Sequence, residues 1–304
     1  MTWPLAARAQ QSGTILITLG TAGGPVPRAD RMQSSNLLVV NGTLYLIDAG
    51  GGVTHRVVQA GYDYRQVSKI FITHAHSDHM AGLATLLVSA WEQQAPPIDI
   101  YGSGVEAVVK GANMTPNAEI RWTEGKKRPM ADSFRAHDVM PGVIYQDGNV
   151  KVTAVENTHF HFQTGDPGYD KYKSFSYRFE TPNRVVFFTG DTGPSDAVVE
   201  LAKGADLYVT ETTSPEDVVA VYKKNGIWQA KTPSEQEGFL RHMHEEHVTP
   251  EDIGRMAAKA GVKAVVMTHI GTTIIPNDDF QRYVDEAKKY YSGPITLAKD
   301  LMKF

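Results

Sequence analysis

His74-Ala75-His76-Ser77-Asp78-His79 sets four metal-binding side chains within six residues. Residues 69–73, just before it, form a short apolar and β-branched run that predicts a buried strand. Beyond it, Met80, Leu83, Leu87 and Val88 recur at helical spacing and predict a helix over residues 79–91. The four side chains therefore fall where a strand hands over to a helix. The chain contains no cysteine, which excludes thiolate ligands, thiolate nucleophiles and disulfides together. Imidazole and carboxylate remain, and these suit zinc, manganese or iron. Four such groups on one loop can serve two cations.

The flanking sequence supplies the scaffold. Residues 14–19 read as a strand that stops at Gly20. Strands over 37–40 and 43–47 flank Asn41-Gly42, a strong signal for a two-residue hairpin. Asp48-Ala49-Gly50-Gly51-Gly52 then turns the chain into a helix over 53–60. Strands are expected over 98–101 and 150–156, with an irregular stretch between 111 and 148 that is expected to overhang the site. A second hairpin, 173–180 with 184–189, turns at Thr181-Pro182-Asn183. Helices are expected over 197–203, 234–245, 250–260 and 279–290, and strands over 206–210 and 262–268. Each half thus opens on hairpins and continues as strand–helix alternation. That order predicts a mixed α/β layer arrangement with a rough two-fold repeat, not a doubly wound parallel sheet. No linker, low-complexity tract or charge block divides residues 11–304, which read as one domain.

Three further ligand-type residues stand at predicted strand exits: His159, Asp191 within Thr189-Gly190-Asp191-Thr192-Gly193, and His269. Scaffolds place catalytic groups on such loops. A lone histidine there is usually structural, but four strand exits ending alike point to a dinuclear site. His161, two residues from His159, remains a spare ligand, and His242 and His244 read as surface residues of a helix. Taken in order, His74-x-His-x-Asp-His79, His159, Gly190-Asp191-Thr192 and His269 resemble the metallo-β-lactamase superfamily. The resemblance runs from Leu19-Gly20-Thr21 to the final strand. It implies the αβ/βα four-layer sandwich of that fold, with metals at one edge between two sheets. It implies that His74, His76 and His159 hold one ion, that Asp78, His79 and His269 hold the other, and that Asp191 bridges them. The Asn157-Thr158-His159 context fits the family motif and favours His159 over His161. Two divalent ions, zinc with manganese or iron as alternatives, would then hold a bridging hydroxide and stabilise charge on the substrate. Asp78 counts among the catalytic groups as well as the ligands. Asp48 resembles a residue that braces the ligand loop; a simple turn-former before glycines is the plainer reading.

Two features bear on the branch. True β-lactamases of the superfamily usually carry a different residue where Asp191 stands. Glu211, ending the strand over 206–210, and His247, just before the helix near Pro250, resemble the catalytic pair of ribonuclease Z. There a Glu-oriented His assists the scissile phosphate and its leaving group. A carboxylate that fixes an imidazole's tautomer and raises its basicity makes it a usable general acid; a helix-capping His and a surface Glu are the plain alternative. The long Gly/Pro-rich tRNA arm of the usual bacterial ribonuclease Z is missing between His159 and Asp191. With a net charge of −4 and no basic run, no nucleic-acid partner is expected. The expectation is a ribonuclease Z-like or arylsulfatase-type hydrolase of small esters, phosphodiester or aryl sulfate. A lactonase or β-lactamase-like hydrolase is the alternative enzyme. A non-catalytic metal-binding or sensor protein is the alternative from another class, and a redox di-iron protein a third. Phe160, Phe162, Tyr169, Tyr172, Trp228 and Ile274 fall in loops on the metal side, where they suit a partly apolar small substrate or plain packing.

With 304 residues, 41% of them hydrophobic, the chain is long enough for a substantial core. No apolar stretch approaches the roughly 20 residues that cross a bilayer, so no membrane partner is expected. A homodimer fits the family habit. Ala7-Arg8-Ala9 before Gln10 matches the small-x-small pattern of a signal-peptidase site. Residues 1–10 therefore read as the remnant of an export signal, and the location as periplasmic or secreted, with the cytoplasm as alternative.

Overall fold

The computed structural model describes residues 13–116, 120, 128–271 and 280–304. The expected export remnant at 1–10, Ile274 and the start of the last predicted helix at Asp279 lie outside them. Strands β1 (Thr14–Gly20), β2 (Ser35–Val40) and β3 (Thr43–Ile47) run antiparallel, and β4 (Lys69–Phe71), β5 (Ile98–Tyr101) and β6 (Phe134–His137) extend them in parallel. The second sheet repeats the plan. Strands β7 (Gly142–Gln146), β8 (Lys151–Glu156), β9 (Phe175–Glu180) and β10 (Val185–Phe188) run antiparallel. Strands β11 (Leu207–Thr212), β12 (Val265–Ile270) and β13 (Ile295–Leu297) follow in parallel. The terminal β14 (Met302–Lys303) returns to pair with β1, giving two seven-stranded sheets among the described residues.

The residues account for these layers. Asn41 and Gly42 both adopt positive φ, 49° and 85°, as a tight two-residue hairpin turn requires. Every residue of β2 and β12 is buried, the continuous apolar reading of strands covered on both faces. Along β2, Leu37 and Val39 face the helices while Leu38 and Val40 face the other sheet. Between the sheets, Phe71 meets Phe179 edge-on at 5.1 Å, within a core that includes Leu16, Tyr45, Tyr177 and Val186. Helices Val53–Gln59, Leu83–Glu92 and Val105–Asn113 cover the outer face of the first sheet. Helices Asp196–Ala202, Pro250–Ala260 and Gln281–Ala287 cover that of the second. The result is the αβ/βα sandwich.

Two expectations need correcting. The single helix over 79–91 is broken into Ser77–Met80 and Leu83–Glu92. At the break Gly82 donates its N–H to Ala49 O at 2.9 Å, and a Cβ there would lie 2.3 Å from Gly50 O. The chain bends so that the ligand loop can dock on the glycine-rich turn. The stretch 111–148 is not an overhanging loop in its described parts, which include β6 and β7 at one edge of each sheet. Their mixed burial hides the period-two alternation that marks a strand.

Candidate metal centre

The loops that leave β3, β4, β8, β10, β11 and β12 meet at one edge of the sandwich. With the C-terminal ends of β11 and β12 they bring Asp48, His74, His76, Asp78, His79, His159, Asp191, Glu211 and His269 together, all of them buried except the exposed His76. Five groups of ligand-type residues result among the described residues: His74, His76 and His159; Asp78, His79 and His269; and three that share Asp191, with His74 and His79, with His159 and His247, and with Glu211 and His269. In the first group, His76 Nδ1 lies 3.1 Å from both His74 Nε2 and His159 Nε2. In the second, His269 Nε2 is 3.1 Å and His79 Nε2 3.6 Å from Asp78 Oδ2. Asp191 stands between the two. Its Oδ1 is 3.3 Å from His79 Nε2, and its Oδ2 is 3.2 Å from His269 Nε2 and 3.9 Å from His74 Nε2.

These residues fit two divalent cations. Ligand atoms at the corners of a tetrahedron with bonds of about 2.0–2.1 Å stand about 3.3 Å apart, which is close to the separations here. His79 Nε2 and Asp191 Oδ1 are buried atoms with no hydrogen-bond partner, a cost that a coordinated ion would remove. Among the described residues, Asp191 is the carboxylate that neighbours both groups, so both sets can share it.

The opposite edges of the imidazoles are held. His79 Nδ1 donates to Asp48 Oδ2 at 2.8 Å, and Asp48 Oδ1 also accepts from Thr73 N at 2.8 Å. His159 Nδ1 donates to the Glu246 carbonyl at 2.9 Å. Each bond fixes a tautomer that leaves Nε2 as a lone pair for metal. Asp48 thus braces the loop as well as turning the chain, and adopts a φ of 60° to do so. A backbone contribution had no signal in the sequence: Gly24 N donates to Asp78 Oδ2 at 2.7 Å. A Cβ on neighbouring Gly23 would strike the His269 ring at 2.5 Å.

Burial pushes His74 and His159 toward the neutral form, His159 to about 3, and desolvation by its packed neighbours does the same for His76 although part of it stays exposed. They are ready ligands at neutral pH. Burial opposes charge on His79 and His269 too, but the surrounding carboxylates together outweigh it and raise both: Asp191, Asp48 and Asp78 at His79, and Asp191 and Asp78 at His269. Asp78 and Asp191 are held below the usual carboxylate range, against their burial, by these same histidines. Metal binding therefore displaces protons from the second group.

His161 points away, 3.5 Å from exposed Glu245, and does not reach the cluster. His247 does. Its Nδ1 lies 2.7 Å from Glu211 Oε2, while Glu211 Oε1 accepts Thr192 N at 2.7 Å. Glu211 is 1% exposed, neither a surface acid nor free to turn. Burial lifts its pKa, and Glu211 in turn raises His247 to about 9 despite the burial of the ring. The pair shares a proton near neutral pH. Thr249, not His247, caps the helix Pro250–Ala260.

A cleft of about 320 Å³ opens on Asp78, Asp191, His247 and His269, with walls that include Pro25, Tyr222, Phe239 and His242. His242 is partly exposed, as its helix suggested, but also faces the cleft: its ring lies 5.0 Å from that of His247, and Nδ1 bonds Glu246 Oε2 at 2.8 Å. His244 is exposed. Phe160 packs 5.3 Å from the His76 ring and Phe162 behind it, whereas Trp228 rests on Phe239, away from the cluster.

A family model described as a beta-lactamase superfamily domain matches residues 31–270. A Ribonuclease Z of Mycobacterium marinum is 25% identical over 296 residues, covering 94% of this chain and 97% of its own. Among solved structures, the metallo-β-lactamase fold protein YhfI of Bacillus subtilis superposes with a TM-score of 0.67 at 18% identity, over 96% of this chain and 98% of its own. The short form of human tRNase Z superposes with a TM-score of 0.64 at 22% identity, over 95% and 98%. Relatives with this name and near-complete coverage overturn the expectation of a small-ester substrate without nucleic acid. Net charge summed over 304 residues says little about one cleft.

Proposed function

The chain belongs to the metallo-β-lactamase superfamily of metal-dependent hydrolases, and from that premise we propose that it cleaves phosphodiester bonds in RNA. The observation that carries this reading is the Glu211–His247 pair, set beside Asp191 at the mouth of the cleft. Its support from relatives is their ribonuclease name over nearly the full length of both chains. Two divalent ions, zinc in the first instance, would be held by His74, His76 and His159 and by Asp78, His79 and His269, with Asp191 shared. Bound there, such ions supply a water of lowered pKa and a Lewis acid for the phosphoryl oxygens.

The chain's own groups do the rest. Glu211 holds the imidazolium of His247 by its Nδ1–H, which leaves the proton on Nε2 for the leaving oxygen. Thr192 N–H fixes the other Glu211 oxygen, so the carboxylate keeps its charge aimed at His247. Asp48 and the Glu246 carbonyl keep the ligand imidazoles in the orientation that hydrolysis needs.

The test is turnover of a short RNA with an unpaired end, measured with metal-loaded and chelator-treated protein. Metal-dependent cleavage that releases a hydroxyl and a phosphate monoester end is expected. A loaded protein that hydrolyses aryl phosphodiesters but leaves every RNA intact refutes the reading.

A further inference from the structure

The cleft carries an aromatic wall that phosphodiester chemistry does not itself require. Tyr222, on the helix Pro215–Lys224, and Phe239, on the helix Pro233–Glu245, both line it, with ring centroids 5.1 Å apart. Neither ring is fully buried. Trp228 buttresses Phe239 edge-on at 6.0 Å, and Lys231 Nζ lies 5.8 Å from the Phe239 centroid. Phe239, His242 and Met243 stand at positions i, i+3 and i+4, so one helix face turns all three toward the cleft. The ring pair thus lies one helical turn beyond His242, whose imidazole packs on that of His247. It sits on the His247 side of the cleft, where the proposed donor to the leaving oxygen stands.

Size narrows what can enter. A cleft of about 320 Å³ is at the small end of the roughly 300–1,000 Å³ typical of ligand sites. It has room for about one nucleotide unit, and a duplex, whose bases are stacked on each other, offers it no free base face. Unpaired bases, by contrast, are bound by stacking on aromatic side chains. We propose that Tyr222 and Phe239 form a subsite for one unpaired nucleobase, carried by the nucleoside on the leaving-oxygen side of the scissile phosphate. This rests on the RNA phosphodiester reading and extends it: the substrate presents a single-stranded nucleotide to the cleft. His242 lines the passage from that base to His247.

The experiment compares two dinucleotide probes, one with a base on the leaving nucleoside and one abasic at that position. Its readout is the ratio of their kcat/KM values. The wild-type protein favours the base-bearing probe. Tyr222→Leu and Phe239→Leu keep apolar bulk between the helices but remove the π-face. Each lowers the ratio about 5- to 150-fold, the equivalent of about 1–3 kcal/mol per stacked base. Tyr222→Phe preserves the ratio and Phe239→Trp raises it, a gain that no loss of folding can mimic. Leucine variants that slow both probes alike, with the Trp variant unchanged, overturn the subsite and make the rings a helix clamp only. A wild-type protein that cleaves both probes equally also overturns it while leaving the RNA reading intact. Cleavage of aryl phosphodiesters with neither dinucleotide touched removes both.

Discussion

Replacing Glu211 with glutamine tests the proton donor at its root. Gln keeps the shape of the side chain, and its amide oxygen can still accept Thr192 N, now at 2.7 Å. The amide nitrogen then faces His247 Nδ1, where a carboxylate oxygen stands at 2.7 Å in the wild type. An N–H presented to Nδ1 makes that nitrogen an acceptor and penalises the imidazolium. His247 falls from about 9 toward or below the ordinary histidine value of about 6.5. That fall corresponds to about 3 kcal/mol against the charged form. The sign follows: the donor is active when protonated, so its contribution is complete at low pH and lost as pH rises through the pKa. At pH 7.5 the protonated fraction drops from near unity to about one tenth or less, and kcat falls at least about tenfold. Bound cations offset the charge of Asp191, so the wild-type limb lies somewhat below 9, and the shift between the two proteins is the quantity to read. The assay is kcat against pH on a phosphodiester with an alkoxide leaving group, repeated with nitrophenoxide, which needs little protonation. A Glu211→Gln protein with full metal content, an unshifted limb and equal losses on both substrates refutes the reasoning.

Asp191→Asn removes the carboxylate shared by the two ligand groups, and metal analysis after dialysis should show fewer than two ions per chain. Two tightly held ions and full activity would refute the shared-ligand assignment. Asp48→Ala leaves His79 Nδ1 and Thr73 N without their acceptor, and metal affinity measured by chelator competition should weaken about 10- to 100-fold. Unchanged affinity would return Asp48 to a turn-forming role. Far from the cleft, Asp99 accepts from Lys69, Arg135 and His137 at 2.7–2.9 Å, and these bonds hold its pKa below the usual carboxylate range against partial burial. A depressed carboxylate stabilises the fold above its unfolded pKa and ceases to as pH falls through the folded one. Asp99→Asn should therefore lower stability by about 1–3 kcal/mol at pH 7, with a melting-temperature gap that narrows toward pH 3. A gap independent of pH would show that the ion pairs are not its source.

The ligand residues could be read from sequence because each follows a stiff apolar strand, where a charged or aromatic-nitrogen side chain has no packing role to explain it. Asp191 and His269 need no neighbouring motif for that argument, only the exit of β10 and the C-terminal end of β12. The backbone N–H of Gly24 that steadies Asp78 carries no such mark, since every residue type has one. His242 illustrates the opposite difficulty. Its helix is dominated by charged side chains such as Glu235, Glu237, Arg241 and Glu245, and only Met243 is fully buried in it. A face turned to a wet cleft has the same polarity pattern as a face turned to bulk solvent, so periodicity cannot separate them. Tyr222 escaped for a related reason: the continuous apolar run Val218-Val219-Ala220-Val221 leads into it and is mostly only partly buried, so no one face of the helix stands out. The partner was misjudged by averaging. A chain with net charge −4 can still bind a phosphodiester wherever divalent ions and a protonated His247 concentrate positive charge at one mouth. The acidic remainder of the surface bears on encounter and on salt dependence, not on what that mouth accepts.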